Sequence, residues 1–170
     1  MAKRVWMTAS LVPVLWACAT TTPPRTPDEV REAVRKGGLG TSLETREIER
    51  PFSAVLEGIR SHADRCFNVK VTRSGQSGIP GNYAPTRSEV AYHSSTRKVA
   101  EGTGEMTVQQ EASYFTNMPP GGAYMQVTDV EAIGPGKTRV TISGTTAIGD
   151  TVEPIFSWGR GQDVPCPKMK

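Results

Sequence analysis

Histidine occurs only twice in this chain and cysteine only three times, and no apolar run reaches the length of a membrane-spanning helix. Each scarcity removes a class of function. His62 and His93 are the only imidazoles available as a base, and no Asp or Glu is placed by any motif to orient either one. His62 is expected on the solvated side of its helix and His93 inside a strand, in surface or structural roles. Gly75-Gln76-Ser77-Gly78 falls one residue short of a nucleophile elbow. Gly38-Leu39-Gly40 and Gly102-Thr103-Gly104 lack the third glycine of a dinucleotide loop, and no Gly-Lys-Ser phosphate loop follows a strand. Asp129 and Glu131 share one face of a strand at period two, and the solvent side of a hairpin is their expected place. No catalytic residue, metal ligand or cofactor is assigned. A non-enzymatic role is expected, with an envelope enzyme of unrecognised chemistry as the remote alternative.

What is present begins at the N-terminus. Lys3 and Arg4 precede the uncharged run from Val5 to Ala17, which ends Leu15-Trp16-Ala17-Cys18. A basic head, a short apolar stretch and a small residue before the cut describe a secretory signal. A spanning helix needs ~20 apolar residues, more than this run supplies. The ending resembles the lipobox of bacterial lipoproteins. That resemblance implies cleavage before Cys18, diacylglycerol on its sulfur, and, with alanine rather than aspartate at position 19, the periplasmic face of the outer membrane. An ordinary secretory signal is the alternative. Two or three acyl chains, at ~0.8 kcal/mol per buried methylene, would anchor the protein stably.

Loss of residues 1–17 would leave 153 residues with 18 Lys plus Arg against 17 Asp plus Glu. No basic cluster survives to track phosphates, so nucleic acid is not an expected partner. Residues 18–41 form the lipidated end and a tether. Its stretch 19–27 is rich in Thr and Pro and cannot bury an apolar face, which predicts an extended spacer. Thr26-Pro27-Asp28-Glu29 then has the form of a helix start, and Gly37-Gly38 ends what is a short helix at best.

One domain is expected over 42–170. Residues 43–49 read as a charged edge strand. Phe52, Val55, Leu56, Ile59, Ala63 and Cys66 fall at helical spacing and predict an amphipathic helix over 52–66. Phe67, Val69 and Val71 alternate with polar residues as a strand does. Five Gly and Pro residues in 74–87 predict a loop there. Strands are expected at 88–96 and 105–114. A hairpin is expected from 123 to 146 around Gly134-Pro135-Gly136-Lys137, with Met125, Val127, Val140 and Ile142 on the core face. A short helix closes the chain, with Val152, Ile155 and Phe156 on one side. The fold class is therefore α+β: an antiparallel sheet of about five or six strands with two helices on one face. This element order, over 42–166, resembles the helix-grip domains of envelope lipoproteins such as BamC.

Cys66 and Cys166 remain once Cys18 is acylated. In an oxidising envelope compartment two such cysteines are expected to pair, closing nearly the whole domain. The alternative gives Cys66 to His62, four residues earlier, as a reactive thiolate or metal ligand. Tyr83, Tyr114, Phe115 and Tyr124 lie on or beside the two expected loops, 74–87 and 116–122. They are candidates for a partner-binding surface, or else caps on the core. The leading functional reading is a membrane-anchored module that binds or scaffolds another envelope protein. The alternative is a carrier holding a hydrophobic ligand between sheet and helix.

Overall fold

The computed structural model describes residues 22–38, 40–79, 82–112 and 118–169, with the backbone alone for 76–79 and 82–85. Six antiparallel strands form one sheet: β1 (Thr41–Ile48), β2 (Val69–Ile79), β3 (Asn82–Ala100), β4 (Thr103–Ala112), β5 (Ala123–Gly134) and β6 (Lys137–Thr145). Their order across the sheet is β1-β6-β5-β4-β3-β2, so β1 and β2 are the two edges. Among the described residues the α-helices are α1 (Pro27–Arg35), α2 (Phe52–Cys66) and α3 (Val152–Gly159), with a 3-10 turn at Thr146–Ile148. The class is α+β, as expected. No helix among the described residues is long and apolar enough to cross a membrane.

Helix α2 occupies the expected span because its apolar residues fall on one stripe. Val55, Ile59, Ala63 and Cys66 are all at most 2% exposed, and Phe52 and Leu56 flank them half-buried. Each fully buried aliphatic side chain contributes ~1.5–3 kcal/mol. The stripe lies on the sheet face that presents Val90, Tyr92, Met106, Val108, Val130, Val140 and Ile142. Helix α3 packs beside α2 on the same side, with Ile155, Phe156 and Trp158 fully buried. Pro154 is tolerated there because it stands in the first turn, where its missing N–H has no helical acceptor to lose.

Several expectations need correction. Residues 74–87 are not an open loop: β2 and β3 pair from Val69↔Tyr92 to Ile79↔Asn82. Glycine and proline read as loop signals, and the few apolar residues of this segment do not alternate along the sequence. Val127 is not on the face of Val140 and Ile142. An extra residue between Ala132 and Gly134 shifts the β5–β6 register, so Val130 opposes Val140 and Thr128 opposes Ile142. One inserted residue flips every side chain that follows it to the other face. Val127 opposes Ser143 and is buried on the opposite side of the sheet, while Met125 still packs against the core as expected.

The opposite face is covered by α1, expected in the tether. Thr26 caps it, its Oγ accepting from the Glu29 N–H, and Val30 is 4% exposed. Pro24 joins it to the sheet, its carbonyl accepting from the Tyr124 N–H at 2.9 Å. With helices on both faces, the middle of β4 from Gly104 to Val108 is buried on both sides.

Candidate functional site

Cys18, Tyr114 and Phe115 lie outside the described residues. The backbone of Tyr83 pairs with Gly78 near the tip of the β2–β3 ribbon, and its side chain is outside what is described. Tyr124 is half-buried on β5 opposite Gln109. The ends of β2 and β4, the starts of β3 and β5, and Tyr124 share one end of the sheet.

At that end the ribbon runs past its neighbour. The pairing of β3 with β4 stops at Val90↔Ala112, whereas β3 continues paired to β2 back to Asn82. Among the described residues, 82–89 are bonded only to β2. The outer side of β2 is the sheet edge along its whole length. The two edges differ in chemistry. β1 carries Glu44, Arg46 and Glu47, with Glu47 held 2.6 Å from Lys137. Between Ser74 and Ile79, β2 carries neither charge nor proline. Charge and proline are how edge strands deter added strands. β1 is guarded in that way and the outer half of β2 is not.

Cys66 and Cys166 are joined, their Cα atoms 5.2 Å apart and 100 residues apart in sequence. The bridge pins the tail against α2, and His62 belongs to the same assembly. Its ring stacks on Trp158 with centroids 5.4 Å apart, its Nδ1 lies 2.9 Å from the Gly58 carbonyl, and its Nε2 lies 3.2 Å from Asp163. It is not on the solvated side of the helix, since Trp158 and the tail cover it; its side chain is 16% exposed. Arg65 and then His62 hold the Asp163 carboxyl below the usual carboxylate range. His93 is half-exposed on β3, 3.6 Å from Glu111.

A second polar assembly left no local signal in the sequence. Arg31 of α1 reaches Glu105 on β4 at 2.5 Å and Asp129 on β5 at 2.5 Å, and also pairs with Asp28. Glu105, nearly fully buried, takes a second guanidinium from Arg97 at 2.8 Å. Hydrogen bonding to Asp129, above all, raises the Arg31 pKa. Asp129 thus lies under α1 rather than on the solvent side, while Glu131 remains exposed and pairs with Arg139. With each of its three carboxylates paired to Arg31 or Arg97, this cluster serves to dock α1. Among the described residues no group of His, Cys, Asp and Glu is arranged to hold a metal ion.

A cleft of about 420 Å³ opens where β1, β6 and the start of α3 meet, lined in part by Glu44, Arg46, Gln126, Gly144, Asp150 and Glu153. Arg46 pairs with Glu153 across its mouth and lies over the Phe156 ring, 4.3 Å from its centroid. Pairing with Arg46 lowers the Glu153 pKa.

No protein-family model matches the chain, and no curated protein matches it.

Proposed function

We propose that this chain is a lipid-anchored envelope protein without catalytic activity, held at the periplasmic face of the outer membrane through Cys18, that binds an envelope protein by strand addition to β2. The observation that carries this reading is the contrast between the two sheet edges. β1 is charged along its length, whereas residues 74–79 of β2 offer main-chain donors and acceptors with neither charge nor proline among them. An extended segment of a partner can add there, taking affinity from main-chain hydrogen bonds and selectivity from alternate side chains. The signal-like head, the cysteine at its cut and the bridged pair Cys66–Cys166 support an envelope address.

The carrier reading is weaker because the space between α2 and the sheet is filled. Ile59, Phe67, Tyr92, Met106 and Trp158 occupy it, none more than 1% exposed. A hydrophobic ligand would have to displace them.

Photo-crosslinking from Ser74 and Arg87, which face each other across the ribbon, tests the proposal in intact cells. A recurrent adduct with one envelope protein is expected, lost when β2 carries Ser77→Pro. Adducts with lipid alone, or an adduct unaffected by the proline, would overturn it.

A further inference from the structure

The chain enters the fold at the end of the sheet where β5 begins. The Pro24 carbonyl accepts from the Tyr124 N–H, and Arg31 reaches Asp129 further along the same strand. The segment from Pro24 to α1 thus runs along β5 away from that end, and an anchor at Cys18 draws that end toward the membrane. From Cys18 to Pro24 the chain spans at most about 22 Å. The β2–β3 ribbon projects from the same end. From Val90, where pairing with β4 stops, to Asn82 it measures about 27 Å. The overhang exceeds the tether, so with this end toward the bilayer the ribbon reaches the lipid.

The distribution of charge matches. No charged residue occurs from Ser74 to Thr86 or from Ala112 to Thr128. Strand addition accounts for the first stretch alone, because the second leads into β5, an interior strand. In the turn before β5, Pro120, Gly121 and Gly122 are exposed without a polar side chain among them. The Gly122 N–H donates to the Pro119 carbonyl at 2.9 Å, and the two prolines have no N–H to leave unpaired. Charges and unpaired backbone donors are what lipid penalises. Tyr124, half-buried beside this turn, is a residue type that settles at headgroup level.

Elsewhere the ends of the strands are charged. At the opposite end Lys98 and Glu101 border the β3–β4 turn, Lys137 opens β6, and Glu49 and Arg50 follow β1. At the anchored end charge stays on the β1 side, at Lys36, Glu44 and Asp150.

We propose that the β2–β3 ribbon rests its tip, at Ile79 and Asn82, on the phospholipid leaflet that holds Cys18, with the Pro119–Gly122 turn and Tyr124 facing the same surface. This contact presupposes the anchor proposed for Cys18, which keeps the tip at high local concentration beside the lipid, so that a small uncharged contact suffices. Two attachments then fix the orientation of the domain. Ser74 and Arg87 lie about 17 Å back from the tip along the ribbon, which leaves that part of β2 open to an added strand.

The test places a nitroxide label at Asn82→Cys and, for comparison, at Glu101→Cys, an exposed position at the opposite end of the sheet. The full chain is purified from membranes with its Cys66–Cys166 bridge intact and reconstituted in vesicles of phosphatidylethanolamine and phosphatidylglycerol. Mass spectrometry reads the acylation of Cys18. Oxygen concentrates in lipid, and a nickel chelate stays in water. The ratio of collisions with oxygen to collisions with the chelate is expected to be severalfold higher at 82 than at 101. Ile79→Glu should bring the ratio at 82 down to that at 101 at an unchanged melting temperature. An acylated protein with equal ratios at the two labels, or a ratio at 82 unmoved by the glutamate, would overturn the contact and leave the anchor standing. Protein without lipid on Cys18 would overturn both.

Discussion

Gly58 of α2 and Trp158 of α3 meet so closely that a Cβ on Gly58 would lie 2.5 Å from the Trp158 carbonyl oxygen. That oxygen belongs to the backbone and cannot rotate away. The contact sets the separation of the two helices, and with it the burial of the Trp158 ring between His62 and Phe67. In a solvent-facing helix Gly→Ala gains about 1 kcal/mol of helix propensity. Here the sign should reverse, and Gly58→Ala should cost about 1–3 kcal/mol through overpacking. Urea unfolding checks this, the expected result being a lower midpoint at unchanged slope.

Ile59 is fully buried on the stripe of α2. Ile59→Ala should cost about 2–5 kcal/mol, as truncation of a packed core side chain does. Leu56, half-buried beside Gly104, should cost less. Comparing the two unfolding midpoints checks the order as well as the size.

The 100-residue span closed by Cys66 and Cys166 is nearly the whole domain. In the chain-entropy model such a bridge is worth about 4–5 kcal/mol. Cys66→Ala with Cys166→Ala should lower stability by up to that amount. Amide exchange should show the tail beyond Arg160 losing protection first.

Arg31 joins α1 to a carboxylate that is nearly fully buried on β4. Arg31→Met should cost about 1–3 kcal/mol, the range for losing charge-assisted hydrogen bonds. Arg97 still partners Glu105, which limits the damage. Faster amide exchange confined to α1 is the expected sign, since the α2 side of the sheet does not depend on Arg31.

Asp163 titrates below the usual carboxylate range because Arg65 and His62 favour its charged form. A group with a depressed folded pKa stabilises fully above its unfolded value of about 3.9 and loses that contribution as pH falls through the folded pKa. The effect of Arg65→Ala on melting temperature should therefore be present at pH 6 and vanish toward pH 2. The Asp163 carboxyl, followed by NMR, should move upward in that variant.

How much of this was legible in the chain depended on whether a residue's signal was local. Helix α2 was readable because six residues repeat one spacing, and the closing helix because Val152, Ile155 and Phe156 do the same in miniature. The hairpin turn was readable from Gly134-Pro135-Gly136-Lys137, but the bulge beside it was not, and that bulge decides which face Val127 occupies. The β2–β3 ribbon was hidden because five Gly and Pro residues dominate a segment with no apolar alternation in its sequence. Arg31 and Gln126 are single polar residues whose partners are distant in sequence: 74 and 98 residues for Arg31, 25 for Gln126. Nothing near either residue announces those partners.

The address proposed from Cys18 underlies the functional reading, and it can be tested directly by the mass and partition of the native protein. Detergent-phase protein should begin at Cys18 and carry diacylglycerol and a further acyl chain, and Cys18→Ser should move it to the soluble periplasm with its Cys66–Cys166 bridge intact. A chain that keeps Met1, lacks acylation at Cys18 and stays in the cytosol would contradict it.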